Sequence, residues 1–576
     1  MHLANKSAVT LRTMKSVFLF LSFLSLPEIS PVCAQLHVPN LFGDNMILQQ
    51  NTRNAVWGFA AAGEKITVRT SWGARQTTTA NDQGDWKVML QTPEAGTGHH
   101  LILQGTNTIE IKNVAIGEVW LCMGQSNMGW ALGNTFGAED EAAAANFPNL
   151  RIFKSSREHW HKPLKQSRDL LAKWQPCTPA VATNTSAVSY YFGRKLQEEL
   201  KIPVGIIVQA YAGTPIEGWM PEEIQQADPR TRTAIENYKK ISRRFSKEQA
   251  LKNFDRELRE YRKKIATGQT MKNKVRQLSP PIITKPAVLG HQYPSHVFNA
   301  MVYPVRPYGI RGAIWYQGER NSKDVPQALN YRRQLAQLIR FYRSSWHHHS
   351  EGHVADDFSF FFTQLPSWNP PQVKPVEGVE SPWAVNREMM RLVTGEVTNT
   401  AMAVTIDTGD SIALHPKNKK PIGIRHAYLA LKKTYGKNII ASGPRFLRQS
   451  LQGNRIILEF DSIGSGMVSA RPGQPDAFAI AGKNREWHWA HAEIKGNAVI
   501  LSAKEIQKPI AARYAWAMNP SRRNLLYNRE GIPASPFRTD NWPLFDQDND
   551  QPPTVQKPEK PPGYQAADWK RPTMTQ

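Results

Sequence analysis

The stretch Gly117-Glu-Val-Trp-Leu-Cys-Met123, running on into Gly124-Gln125-Ser126-Asn127, decides how this chain is read. Val119 to Met123 is a continuous apolar run of buried-strand length. Gly124 and the polar residues after it mark a tight turn, and a helix is expected to follow. A serine in a turn at the carboxyl end of a buried strand has its hydroxyl held clear of the backbone. The N–H groups that follow then point at whatever the hydroxyl attacks. That is the local arrangement of a serine nucleophile, and equally of an ordinary strand-to-helix connection. Other segments must arbitrate.

Further runs share the buried-strand character: Val204-Gly-Ile-Ile-Val208, Gly312-Ala-Ile-Trp-Tyr316, Phe358-Ser-Phe-Phe-Phe362 and Ala401-Met-Ala-Val-Thr-Ile406. Amphipathic helices lie between them. Val188, Tyr191, Phe192, Leu196 and Leu200 share one helical face, and Tyr331, Leu335, Leu338, Ile339 and Tyr342 another. Strand–helix alternation implies an α/β fold with a mostly parallel sheet, whose sites lie outside the carboxyl ends of the strands. At those ends the sequence places Ala212-Gly213-Thr-Pro215 with Glu217, then Gln317-Gly-Glu319-Arg320-Asn321, then Asp407-Thr-Gly-Asp410 and His415-Pro-Lys-Asn418. All fall on the edge that carries Ser126.

The flanks read differently. Residues 35–113 alternate apolar and polar over short runs such as Lys65-Ile-Thr-Val-Arg69 and Trp86-Lys-Val-Met-Leu90, with turn clusters such as Asn81-Asp-Gln-Gly84. They are expected to form an N-terminal β domain. Residues 114–440 carry the strand–helix pattern, and 441–545 return to short strands such as Arg455-Ile-Ile-Leu-Glu-Phe460 and Ala498-Val-Ile-Leu501. The tail, 546–576, is rich in Pro, Gln and Lys and is expected to be disordered.

At 576 residues the chain exceeds one core and suits two or three domains. Residues 1–34 read as a secretory signal peptide, with Lys15 ahead of Val17–Leu26 and small residues at Val32-Cys33-Ala34. A secreted or periplasmic location is expected. No other stretch is long and apolar enough to cross a membrane. After cleavage only Cys122 and Cys177 remain, with Cys122 read as a buried free thiol. The net charge of +24 raises nucleic acid as a partner. Its richest segment is a basic insertion near 229–277. Acids are interleaved there at helical spacing, Asp255 with Arg259 and Glu260 with Lys264, so a solvated helical face is expected and no nucleic acid. His347-His-His349, with Glu351 and His353, follows Trp346 in a polar stretch without apolar residues to orient ligands. It is read as a solvated loop, not a metal site.

Together these blocks resemble the SGNH (GDSL-like) hydrolases, and within them the sialate O-acetylesterase family. The likeness rests on Val119-Trp-Leu-Cys-Met-Gly-Gln-Ser-Asn-Met128, Gly213-Thr-Pro, Ile314-Trp-Tyr-Gln-Gly-Glu319 and His415-Pro-Lys-Asn-Lys419. Leu41-Phe-Gly-Asp-Asn-Met-Ile-Leu48, Phe298-Asn-Ala-Met301 and Pro533-Ala-Ser-Pro-Phe-Arg-Thr-Asp540 agree, so it spans roughly 36–545 in the family's order. The resemblance implies an SGNH-type, flavodoxin-like parallel-sheet catalytic domain with flanking β-rich, sandwich-like regions. It implies a serine carbohydrate esterase that removes O-acetyl groups from acetylated sugars without a cofactor. Ser126 becomes the nucleophile and His415 the general base. The N–H groups of Ser126 and Gly213 and the Asn321 side chain become oxyanion donors. Gln125, Asn127, Gln317, Glu319 and Arg320 become candidates to line the substrate pocket. A serine hydroxyl needs a neighbouring imidazole to take its proton, and the oxyanion needs preorganised donors, so the chemistry agrees.

The chain departs from the family at two places. An orienting aspartate usually lies two or three residues before the histidine, where this chain has Ile412 and Ala413. Asp410 is the nearest upstream acid and Asp407, read as a cap of the loop, the next; either substitutes, or the site is a Ser-His dyad. Arg320 also replaces the family's usual Ser. The alternatives to a sialate-type esterase are an acetylxylan or other glycan acetylesterase, a weakened glycan-binding protein on the same scaffold, and a binder of acidic polymers through the insertion.

Overall fold

The computed structural model describes residues 35–169, 171–244, 290–376 and 381–544, with scattered positions between 246 and 263. The expected leader at 1–34, the tail 546–576 and most of the basic insertion, Lys264 included, lie outside the described residues.

Seven strands build the part of the molecule that positions the site. In chain order they are β1 (Thr108–Gly124), β2 (Phe147–Lys154), β3 (Trp174–Cys177), β4 (Val204–Ala210), β5 (Gly312–Tyr316), β6 (Ser359–Thr363) and β7 (Thr400–Ala403). Their spatial order is β7-β6-β5-β1-β4-β2-β3. All pair in parallel except β3, which closes the edge antiparallel to β2. Four principal helices cover the two faces: α1 (Ala187–Leu200), α2 (Val325–His349), α3 (Pro382–Glu396) and α4 (Lys420–Lys433). Each of the first three starts at a residue whose side chain accepts a backbone N–H, namely Ser186, Asp324 and Ser381. Proline in the first turn of α2 and α3 fits there because that N–H has no helical partner.

Strand geometry sorts the core into two layers. Trp120 and Cys122 of β1 pack with α1 and α4, while Val119, Leu121 and Met123 pack with α2. Both faces are covered, which is why these strands are apolar throughout. Cys122 and Cys177 are buried and free, and burial pushes the Cys122 thiol up to about 12.

β1 runs for 17 residues and serves two structures. Its carboxyl half is the centre of the parallel sheet. Its amino half pairs antiparallel with Gly96–Gln104, which pairs in turn with Lys65–Thr70. The central sheet is therefore mixed rather than simply parallel. Beyond residue 440 lie two four-stranded antiparallel sheets, one around Arg455–Asp461 and one around Phe478–Ala481. They share a core with Val404 and Ile406 of the segment after β7. Among the described residues no helix is long and apolar enough to cross a membrane.

Two local expectations are corrected. No α-helix follows Ser126 directly: a turn leads to a 3-10 turn, Leu132–Asn134, and the short helix Ala138–Ala143. Gly129 and Gly133 approach neighbouring chain closely, a Cβ at Gly133 falling 2.9 Å from Thr183 Cγ2, and Gly137 has φ +63°. Glycines so spaced also weaken a helix by about 1 kcal/mol each. His347–His349 lie in the last turn of α2, not in a loop. His347 Nδ1 meets Val354 O at 2.9 Å and His349 Nδ1 meets Ser345 O at 2.8 Å.

Candidate active site

Gly124 ends β1 in register with Ala210 of β4 and Tyr316 of β5. Its φ is +150°, and a Cβ there would stand 2.1 Å from Tyr316 O. Only glycine lets the three strand ends close. Gln125 N–H donates to Tyr316 O and Tyr211 N–H to Gly124 O, both at 3.0 Å. Ser126 follows in the turn, half-buried. Gly124→Ala is expected to cost about 1–3 kcal/mol through the clash and to displace the turn, read as a lower Tm with lost turnover.

His415 reaches this turn from the segment beyond β7, and its Nε2 lies 2.8 Å from Ser126 Oγ. The Trp130 indole stacks on the imidazole at 4.9 Å and 18°. Asp410 opens the loop: its Oδ1 accepts the N–H groups of Ile412 at 2.8 Å and Ala413 at 2.7 Å. Trp368 Nε1 donates to Ile412 O, and Asn519 Nδ2, from the C-terminal region, to Ser411 Oγ, both at 3.3 Å. Leu414 packs with Trp368 and Met518. The loop is thus braced from both sides. Asp407 is committed elsewhere: Arg425 holds it through two bonds, at 2.7 and 2.6 Å, and Tyr527 Oη donates to it. Asp410, not Asp407, caps the histidine loop.

The remaining blocks meet beneath the turn. Asn321 Oδ1 accepts Ile216 N–H and Gln317 Nε2, each at 2.9 Å, and its Nδ2 donates to Glu217 Oε2 at 2.9 Å. Gln317 Nε2 also lies 3.2 Å from Gln125 Oε1, and Tyr331 Oη donates to Gln317 Oε1 at 2.8 Å. Gln334 donates to the other Glu217 oxygen at 2.8 Å. Gln125, Gln317 and Glu217 therefore form a hydrogen-bonded floor that ties the Ser126 turn to the Gly213–Ile216 segment. Gly213 has φ +73° beside His291 and Gln292. Arg320 Nη2 donates to Gln292 Oε1 at 2.8 Å. Tyr211 stacks on His291 at 4.4 Å and lies 3.2 Å from His159 Nδ1, adding aromatic surface to this rim.

Asn127 points inward and is fully buried. Its Nδ2 donates to Glu319 Oε1 at 2.6 Å and to Leu414 O at 3.2 Å, and its Oδ1 accepts from Lys419 Nζ. Glu319 and Lys419 are also buried. Glu319 and Lys419 fall within the quoted motifs, but the sequence points to no role for Lys419 or Trp130. The only sequence signal for them is spacing: Lys419 lies four residues after His415, and Trp130 four after Ser126. Among the described residues no group of three or more His, Cys, Asp or Glu is placed to hold a metal ion.

A family model described as carbohydrate esterase, sialic acid-specific acetylesterase, matches residues 116–253. The sialate O-acetylesterase of Mus musculus is 26% identical over 522 residues, covering 85% of this chain and 92% of the relative. That of Homo sapiens is 25% identical over 529 residues, covering 86% and 90%. The crystal structure of a carbohydrate acetylesterase from Xanthomonas citri is 30% identical, with a TM-score of 0.72 over 88% of this chain and 100% of that one.

Proposed function

The chain belongs to the sialate O-acetylesterase family of carbohydrate esterases and is a carboxylic ester hydrolase, and from that premise we propose a Ser-His acyl-enzyme mechanism centred on Ser126. The observation that carries it is the 2.8 Å contact between His415 Nε2 and Ser126 Oγ at the carboxyl edge of the sheet. His415 takes the serine proton as Oγ attacks the acetyl carbonyl, then returns it to the sugar oxygen as the ester bond breaks. Water, deprotonated by the same imidazole, releases acetate. The face of Trp130 favours the imidazolium formed in each transition state. The N–H groups of Ser126 and Gly213 and the second Nδ2 hydrogen of Asn321 are the proposed oxyanion donors. Asp410, at the head of the histidine loop, is the proposed orienting acid.

The finer fold assignment follows the same reading. In order of appearance β1, β4, β5, β6 and β7 stand as 2-1-3-4-5 across the sheet, with β2 added outside β4. That order supports an SGNH-type, flavodoxin-like catalytic unit. The apolar leader supports export, where acetylated glycans are met.

For the substrate we propose an acidic O-acetylated sugar of the sialate type. A cavity of about 350 Å³ opens beside the turn, lined by Gly129, Ala210, Ser186, Lys154 and Arg157. Arg157 and Lys154 sit close enough for the Arg157 charge, after burial, to lower the lysine's pKa. Nearby carboxylates are engaged locally: Asp169 accepts from Leu171 N–H at 2.9 Å and Glu158 from Arg168 N–H at 3.2 Å. Two cations facing one cavity suit a sugar carboxylate. Acetate release from O-acetylated sialic acid, its carboxyl methyl ester and acetylated xylan tests this. Arg157→Ala is expected to raise KM for the free acid about tenfold, with kcat within about twofold and no effect on xylan. Preference for xylan, or an unchanged KM, would give the reading to a neutral-glycan esterase; no turnover of any of them would give it to a binding protein.

A further inference from the structure

Three chain segments must keep register for this site to work: the Ser126 turn, the His415 loop and the Gln317–Asn321 segment. One buried side chain, Asn127, touches all three. It follows Ser126 directly, and its Nδ2 reaches Glu319 Oε1 at 2.6 Å and the carbonyl of Leu414, the residue before His415, at 3.2 Å. Its Oδ1 takes Lys419 Nζ, and Lys419 has none of its surface exposed. An amide can present its oxygen and nitrogen in only one sense here. Lys419, a donor only, fixes the oxygen toward itself, which turns the two Nδ2 hydrogens toward Glu319 and Leu414.

We propose that Lys419 is a positioning residue for the reaction, its buried ammonium orienting Asn127 so that the nucleophile turn and the base loop stay in contact, and that turnover depends on that charge. The inference rests on the Ser126–His415 mechanism above.

Isolated lysines are rarely buried because removing an ammonium from water is expensive. The opposing charge here is Glu319, reached through Asn127 rather than directly. Burial drives the Lys419 pKa down to about 7 and Glu319 holds part of it up. Burial raises the Glu319 pKa, with the Asn127 hydrogen bond and the Lys419 charge opposing. The other groups around the bridge are the Tyr316 ring, 5.3 Å from Nζ, Tyr331, which like Tyr316 feels the Glu319 charge, and Arg387 of α3, whose charge acts on Tyr316; His415 comes near only through the preceding Leu414 carbonyl. None of these replaces the ammonium. Because the lysine pKa is lowered, the charged bridge is present below about pH 7 and is lost as pH rises through that value.

The experiment follows kcat and KM for acetyl release from pH 5 to 9 in the wild type, Lys419→Met and Glu319→Gln, with Tm and circular dichroism alongside. In the wild type, kcat declines above about pH 7 as the bridge loses its proton. Lys419→Met is expected to lower the optimum kcat about 10- to 100-fold with KM within about threefold, and to abolish the basic decline. Glu319→Gln keeps an acceptor for Asn127 Nδ2 but removes the opposing charge. Its basic limb should move roughly one pH unit lower. That shift decides the matter alone should Lys419→Met not fold. Wild-type kcat in Lys419→Met, a lowered kcat with an unmoved basic limb, or an unmoved limb in Glu319→Gln each overturns the proposal. Failure of the underlying mechanism shows separately, as turnover persisting in Ser126→Ala.

Discussion

Ser126→Ala is expected to lower acetyl release by about 10⁴- to 10⁶-fold while leaving the protein folded. The serine is half-buried in a turn whose shape is set by others: Gly124 at φ +150°, and the bonds of Gln125 N–H and Tyr211 N–H to the neighbouring strand ends. Removing one hydroxyl deletes the Oγ contact with His415 and no bond that shapes the turn. Folding should therefore survive, with Tm within a few degrees, as checked by thermal melts beside the acetate assay. What would remain is water attack assisted by the proposed oxyanion donors and binding alone. Wild-type turnover in this variant would sink the covalent mechanism.

The second large effect separates the two acids ahead of the histidine. Asp410→Asn is expected to lower kcat by about 10²- to 10⁴-fold with little change in KM. The substitution is informative because asparagine keeps Oδ1, so the bonds from Ile412 and Ala413 N–H that shape the loop persist. Only the charge is removed, and on the proposed mechanism that charge would stabilise the imidazolium formed in the transition state. Asp407→Asn should behave differently. It removes the charge and the Oδ2 acceptor of Arg425 Nη2 and Tyr527 Oη, and leaves the buried Arg425 cation unbalanced. The expected cost is about 3–5 kcal/mol of stability, with kcat of the folded fraction close to wild type. Steady-state kinetics set beside denaturant melts distinguish the two. Unchanged kcat in Asp410→Asn would leave the site a Ser-His dyad.

Much of the architecture was legible because it is written in short-range periodicity. The faces marked by Val188 to Leu200 and by Tyr331 to Tyr342 fall within α1 and α2, and the apolar runs at 204–208 and 312–316 fall within β4 and β5. A strand covered on both sides needs apolar residues at every position, whichever sequence surrounds it. The helix expected after Ser126 is absent for the opposite reason. Gly129 and Gly133 are small because of what approaches them from residues 183 and 210, and no local pattern reports a distant neighbour. The division of β1 between an antiparallel and a parallel half was hidden likewise, since an extended chain looks the same whichever side its partners take.

By itself, then, the sequence determined the α/β alternation, the order of the blocks and the edge on which Ser126, Gly213, Asn321 and His415 all lie. Those follow from residue type and spacing along the chain. Only the tertiary structure decided who holds whom: Asp407 with Arg425 and Tyr527, Asp410 at the head of the histidine loop, Trp130 on the imidazole, and Lys419 buried against Asn127. Apart from the Asp410 turn, which is local, each of these links bridges two separate turns, loops or helices, and several cross more than a hundred residues of chain. A carboxylate's role as anchor or orienting acid, and a lysine's as solvated cation or buried brace, is set by the partner that packing brings within about 3 Å, where hydrogen bonds and ion pairs act.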